Sequence, residues 1–339
     1  MTALTVIEAG PAMTLQDMGR PGWMAQGLSR GGAADLLALA EGAALLGQGT
    51  DCAALEMAGA GGMFETSAPL RIALTGAPMQ AACDGQPLRW NASHSLPAGA
   101  RVQIGGARDG VYGYLHVGGG FDGPVVMGAR SAHLAGGVGR VVLRGDTLPL
   151  CPDPGGPLGL GLEVPPRGQG GEIRMLRGIQ TDRFSDEMLE RFQATSFRRS
   201  TRANRQGVAL ESDGPGFTAA GQLDVVSEVI VPGDIQMTGD GLPYVLLPEC
   251  QTTGGYPRIG TVLPCDLPRV AQAGPGRILR FRLVTRDEAD AAQTRHTAHL
   301  AALPRLAAPL LRRPEDIADL LSYQLIGGVV SATEEEGER

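Results

Sequence analysis

The sequence predicts a mainly β protein with two β domains, a few helices and a helical C-terminal tail. Three observations predict it. Of 339 residues, 51 are glycine and 24 are proline, a composition that punctuates a chain with turns. The apolar residues fall in short runs between those turns, as strands do, rather than in long helical stripes. The chain is also too long for one small core, so two domains and an appendage are its natural division.

From the N-terminus, residues 4–8, 70–74, 101–104, 111–117 and 140–143 read as strands broken by glycine. One helix interrupts them over 32–47, with leucines at helical spacing and Gly47 as its stop. Residues 151–171 hold Pro152, Pro154, Pro157, Pro165 and Pro166, and read as a linker between a first domain over 1–150 and a second over 172–285. The second domain opens on a strand over 172–176. An acidic helix follows over 182–193, then strands over 224–231, 244–247 and 277–284. The tail, 286–339, differs: 286–303 and 314–326 read as helices, with Pro314 suited to a first helical position. The closing acidic run from Glu334 is expected to fray in solvent.

A formal net charge of −7 argues against nucleic acid, whose phosphates need clustered cations. All 29 basic side chains are arginine, which excludes a Schiff base, a P-loop lysine and a lysine general base in this chain. Cys52, Cys83, Cys151, Cys250 and Cys265 are scattered, as suits reduced, mostly buried thiols. The first residues lack a basic, then apolar, leader pattern, and no apolar run reaches the roughly 18 residues of a membrane span. A soluble cytoplasmic protein is expected.

Three motifs fail on context. Gly27-Leu-Ser-Arg-Gly31 fits G-x-S-x-G and His116-Val-Gly-Gly-Gly120 is similar to an esterase oxyanion loop, yet that loop should precede the nucleophile elbow and here follows it. Gly118-Gly-Gly-Phe-Asp-Gly123 fits G-x-G-x-x-G, but Pro124 and two valines come next instead of a helix. His94, His116, His133, His296 and His299 offer no metal spacing. No bound metal or organic cofactor is expected.

Polar residues crowd onto glycine-rich segments in four places. Gln16-Asp-Met-Gly-Arg-Pro-Gly22 puts an amide, an acid and a guanidinium on a stiff loop, fit to pose a carboxylate or a carbonyl or simply to tie its own turn. Arg30-Gly-Gly-Ala-Ala-Asp35 opens a helix with backbone amides, and Asp35 complements its dipole. Gly128-Ala-Arg-Ser-Ala-His133 sets an arginine beside a hydroxyl. Glu249-Cys-Gln-Thr-Thr-Gly-Gly-Tyr-Pro-Arg258 is the densest, carrying more hydrogen-bonding groups than a plain turn uses.

In this order the clusters resemble the family variously described as allophanate hydrolase subunit two, the Kip-type antagonist of a kinase inhibitor, and the C-type component of 5-oxoprolinase. The matching stretches are Gln16–Gly22, Gly31–Asp35, Ala54-Leu-Glu56, Leu74-Thr-Gly-Ala77 and Gly128-Ala-Arg-Ser131 in the first half. In the second they are Asn204-Arg205, Gly207, Leu210-Glu211, Gly233-Asp-Ile-Gln236 and the specific run Gln251-Thr-Thr-Gly-Gly-Tyr-Pro257. Ala203, Gln206 and Ala209 depart from a serine, a methionine and an arginine of the family pattern, and Arg258 and Gly260 from a lysine and an alanine. Arginine keeps the charge at 258 but cannot serve as a base.

The resemblance implies two cyclophilin-like β-barrel domains and work on an amide or urea-like N–C=O group. It implies a B-type partner subunit and, with it, an A-type lactamase subunit that together open 5-oxoproline to glutamate at the expense of ATP. Nothing is held tightly by this chain; ATP, or carboxybiotin if the chain is instead a urea-type carboxyltransferase, is handled by the complex. A non-catalytic antagonist of a kinase inhibitor is the other reading. In the enzyme-component reading the candidate catalytic residues are Asp17 or Glu56 as base and Tyr256, which orients the amide with Gln251 and Thr252. Arg20, Arg130 and Arg258 would bind carboxylate or carboxyl-transfer oxygens, and Gln16, Asn204, Arg205, Gln251, Thr252 and Thr253 would bind the rest of the substrate. The Gln251–Arg258 and Gln16–Arg20 segments are expected to line one pocket between the domains.

Overall fold

A computed structural model describes residues 2–221 and 225–311. It is mainly β, with four α-helices among the described residues: α1 (Leu36–Leu46), α2 (Asp186–Ala194), α3 (Leu267–Gln272) and α4 (Arg286–Leu306). The helix expected over 314–326 and the acidic run after it lie outside the described residues.

In the first half two sheets close on one core. One runs Thr147–Pro149, Ala3–Glu8, Met63–Thr66, Arg101–Ala107, Met79–Cys83, Gln86–Leu88. The other starts Thr14–Gln16, Ala54–Ala58, Tyr112–Val117, Leu70–Gly76, Ala92–Leu96. Alternate residues such as Val102 and Ile104 turn inward to meet Leu55, Ile72, Leu74 and Leu115 of the facing sheet. The strands Leu70–Gly76 and Tyr112–Val117 are buried on both faces, because α1 covers the outer one. Asp35 caps α1 by accepting the Ala38 N–H at 3.0 Å, and Gly47 ends it at φ 63°. Gly42 lets the His116 ring lie against the helix, since a Cβ there would stand 2.2 Å from the imidazole. Burial drops the His116 pKa to about 3, so the ring is neutral and shares a 2.8 Å hydrogen bond with Thr75.

The second half is a closed seven-stranded barrel in the order Gly171–Leu176, Arg258–Val262, Asp234–Met237, Pro243–Leu246, Gly207–Glu211, Phe197–Asn204, Ile278–Leu283. The last strand returns to the first in parallel, with Ile173 beside Phe281. Phe192, Phe197, Phe217 and Phe281 fill the interior, their ring centroids 4.8 to 5.7 Å apart. The predicted class, mainly β with a barrel-type core in each half, stands.

The halves meet through one continuous apolar cluster that joins Ala34, Leu39, Tyr112 and Tyr114 to the barrel interior. Gln272 of α3 secures the seam with its whole amide. It accepts from the N–H groups of Val111 and Tyr112 at 2.9 Å each, and donates to Asp35 at 2.9 Å and to the Tyr112 carbonyl at 2.8 Å. Arg167 of the proline-rich connection binds Asp35 at 3.0 Å and Glu41 at 2.5 Å. Beyond the barrel, α4 begins at a capping box between Thr285 and Glu288 and packs Leu300 and Leu303 over Leu37 and Ala40 of α1. The chain then pairs Ala308–Pro309 with Leu160–Gly161, adding an edge to the second sheet of the first half.

Three local expectations change. Residues 140–143 form no strand: the Val142 N–H donates to the Met13 carbonyl at 2.8 Å, while Asp146 takes the Leu143 N–H and the Arg140 guanidinium. Ladder pairing resumes at Thr147–Pro149. Of the strand expected over 224–231, whose first residue lies outside the described residues, Glu228–Val229 is ladder-paired, because Asp234 captures the Val231 N–H and Pro232 has none to give. The acidic helix splits into a turn, Thr181–Arg183, and α2, which Ser185 caps. The five thiols are unpaired, Cys250 buried and the others half-buried. Among the described residues no helix is long and apolar enough to cross a membrane.

Candidate functional site

Gln16 ends a short strand that pairs with Ala54–Ala58, and the loop after it folds back at Gly19. Gly19 sits at φ 79°, where a Cβ would press within 2.6 Å of the Arg30 carbonyl, so only glycine allows the two loops this approach. Asp17 ties its own turn and a second loop at once, accepting the N–H groups of Gly19 at 2.8 Å and Arg130 at 2.6 Å. Both its oxygens are therefore engaged, and Asp17 holds the loops in place.

Arg20 is 1% exposed. Its Nη2 donates to the Ser131 carbonyl and its Nε to that of Val126 at 3.4 Å, whereas Nη1 has no partner. Burial pulls its pKa down against the pull of Asp17 and Glu249. The Gln16 amide nitrogen reaches Thr14 at 2.9 Å and the Ala132 carbonyl at 3.2 Å, which leaves its oxygen without a donor. Arg130 pairs with Asp122 at 3.2 Å, but its Nε is unmet, as is the Ser131 hydroxyl. Of the six buried side-chain atoms without a partner among the described residues, four thus lie on these two loops. Such groups are costly to bury and rare without a purpose. Beside them opens a cavity of about 440 Å³, lined by Asp122, Val126, Arg130, Ser131 and Arg140.

Behind this cluster lies an ion network in the seam. Arg205, from the turn between two barrel strands, crosses to the first half and binds Glu56 and the Gly32 carbonyl, while its Nε meets Glu249 at 2.5 Å. Glu56 also takes the Tyr114 hydroxyl at 2.7 Å and the Ala34 N–H at 2.8 Å. Both its oxygens are engaged, in three hydrogen bonds, so it acts as a joint. Burial opposes the charge on Arg205, and Glu56 and Glu249 outweigh that, holding its pKa above the ordinary value. Burial, then Glu56 and Asp35, push Tyr114 far up, so it stays protonated as a donor. Glu249 accepts the Ala135 N–H at 3.1 Å. Ser29 bonds His133 at 2.8 Å and the Pro248 carbonyl at 3.1 Å, and so connects the network to the loop of Arg130.

The remaining candidates stand apart. Arg258 binds Glu228 at 2.6 Å, the Val229 carbonyl at 2.7 Å and Asp234 at 3.2 Å. Gln180 joins them, accepting the Arg258 N–H at 3.0 Å and donating to Glu228 at 2.7 Å. Thr252 offers its carbonyl to Ile230, and Thr253 pairs with Val229 in a two-residue strand. Gln251 is exposed and Tyr256 is 49% exposed. Asn204 caps its turn by accepting from Gln206 at 2.7 Å and Gly207 at 3.3 Å. Gln16, Asp17, Arg20 and Arg130 are therefore brought together, with Glu56 and Arg205 adjoining. Among the described residues no hydrogen bond or ion pair runs from the 251–258 segment to the Gln16–Arg20 loop. The roles of Ser131, Glu249, Tyr114 and Ser29 emerge only from the fold, although Ser131 and Glu249 sit inside polar runs that the sequence marks and Ser29 inside the rejected G-x-S-x-G motif.

Comparison with known proteins adds an independent line. A family model described as "Carboxyltransferase domain, subdomain A and B" matches residues 26–283. The C-type component of 5-oxoprolinase from Escherichia coli K12 is 32% identical over 293 residues, spanning 84% of this chain and 93% of that protein. Its namesake in Haemophilus influenzae is 28% identical over 307 residues, 89% and 98% of the two chains. The crystal structure of the K. lactis urea amidolyase superimposes with a TM-score of 0.82 at 23% identity, over 93% of this chain and 20% of that one, a likeness of fold.

Proposed function

The chain belongs to the carboxyltransferase domain family, subdomains A and B, and on that premise we propose that it is the C-type component of a multi-subunit, ATP-dependent 5-oxoprolinase. The observation that carries this reading is the set of unmet polar atoms at Gln16, Arg20, Arg130 and Ser131. A lactam presents one N–H and one carbonyl oxygen. The Gln16 oxygen is an acceptor for the first, and the guanidinium N–H groups and the Ser131 hydroxyl are donors for the second. Donors at the oxygen stabilise the charge that gathers there as water adds to the carbonyl carbon. The C–N bond then breaks, and the nitrogen leaves with a proton as the amine of glutamate.

Asp17 positions these donors, and the Glu56–Arg205–Glu249 network fixes the second half behind them. Asp17 and Glu56 are both spent on structural hydrogen bonds, and the chain has no lysine. In this reading the B-type and A-type subunits supply the general base and handle ATP. The isolated chain should show no turnover of 5-oxoproline with ATP, and adding the B-type and A-type subunits should yield glutamate, ADP and inorganic phosphate. Robust turnover by the chain alone, or no glutamate from the assembled complex, would overturn the proposal. The same donor set suits urea, and the fold likeness to urea amidolyase favours that as the second reading. Carboxylation of urea with carboxybiotin, in place of glutamate formation, would select it.

A further inference from the structure

A second cavity, of about 430 Å³, is lined by Arg205 and Glu249 together with Tyr112, Arg199 and Asn204. Arg199 is unusual among the arginines of this chain. It is 7% exposed, it forms no ion pair among the described residues, and its Nε has no partner. Its Nη1 is spent on the Ser200 carbonyl at 3.0 Å. The groups close enough to act on its charge are Tyr112 and Tyr244, phenols that are neutral at pH 7, and burial lowers its pKa. By contrast Arg20 has Asp17 and Glu249 nearby, and Arg205 has two carboxylates.

A buried guanidinium without a counter-charge is expensive, and the edge that carries Nε is the one that grips a carboxylate with two parallel bonds. The rest of the cavity is shaped for a compact, partly apolar body by Ala12, Ala58 and Leu134. Glu249 and Arg205 on the same wall are paired with each other, so among the described residues the one uncompensated charge of the lining is that of Arg199, which suits a single negative charge. We propose that this cavity is a binding site for a small monocarboxylate, clamped by the unpartnered Nε edge of Arg199 with the Tyr112 hydroxyl beside it. Tyr112 is fit for that part, because burial pushes its pKa up to about 12 and it remains a donor. The site is distinct from the Arg20 cluster. Only the choice of 5-oxoproline as one probe rests on the proposed function.

The test follows the Arg199 Nε–H resonance of the full-length, nitrogen-15-labelled chain, assigned by its loss in Arg199→Gln. Sodium acetate and 5-oxoproline should each shift it saturably, whereas 2-pyrrolidinone, the same lactam without the carboxylate, should not. Arg199→Gln should weaken 5-oxoproline binding by about tenfold or more, and Arg199→Lys by less. No saturable shift with either carboxylate, unchanged affinity in Arg199→Gln, or tighter binding of inorganic phosphate than of acetate would each overturn the site. Should Arg199→Gln fail to fold, the wild-type titrations and Arg199→Lys decide. A shift with acetate but none with 5-oxoproline upholds the carboxylate site with another occupant, and leaves the oxoprolinase reading to its own turnover test.

Discussion

Arg258 shows what the sequence displays at a single residue and what it conceals. The run from Glu249 to Arg258 stands out as polar, but its partners are far away in the chain: Gln180 and Glu228 for Arg258, and Arg205 for Glu249. The same holds for Arg205 and Glu56, 149 positions apart, and for Arg20 and Ser131, 111 apart. Sequence marks where polar groups crowd; only folding decides which of them are spent on each other. Arg258 is spent. Its side chain is 12% exposed and engages two carboxylates and a carbonyl. Hydrogen bonds to charged groups contribute about 1.5–3 kcal/mol each, so Arg258→Ala should cost at least about 1.5–3 kcal/mol in urea denaturation. The folded fraction of that variant should retain turnover within about threefold in the assembled complex, an activation change under about 1 kcal/mol. An unchanged midpoint with turnover reduced about a hundredfold would instead place Arg258 in the catalytic site.

Helices were legible where their ends are written in the sequence. Gly47 closes α1 as expected, and the start falls at Asp35 instead of Gly32 because that carboxylate caps the first turn. The last long helix runs past its expected end at Leu303 to Leu306, with Pro304 in its final turn. The apolar stretch 140–143 misleads for the opposite reason: its backbone groups are claimed by Met13 and Asp146, which no local pattern reveals. Helix α1 also supplies a test of packing against propensity. In an exposed helix Gly→Ala gains about 1 kcal/mol. At Gly42 the new methyl would meet the His116 ring, and Gly42→Ala should instead destabilise by about 1–3 kcal/mol, the usual cost of overpacking. Thermal unfolding of the variant decides, and a raised midpoint would mean that His116 moves aside freely.

For the whole molecule, the mainly β class could be read from glycine, proline and short apolar runs, while the joint between the halves could not. Arg205 draws together Glu56, the Gly32 carbonyl and Glu249. Removing it leaves two buried carboxylates facing each other, so Arg205→Met should cost about 3–5 kcal/mol. Adding Glu56→Gln and Glu249→Gln should recover much of that in the same denaturation experiment. A loss below about 1 kcal/mol for Arg205→Met would show that the apolar contact alone holds the seam. The strand Ala308–Pro309 has a further bearing. Although it follows the barrel in the chain, it completes a sheet of the first half, and α4 before it roofs α1. The gene is thus not a pair of cassettes. A crossover within 151–171 that imported a foreign second half without a matching α4 and edge strand would strip the recipient of its lid and bare the rim of a sheet. Descent should therefore keep the two halves as a linked inheritance, with the segment after the barrel co-evolving with α1 rather than with the strands that precede it.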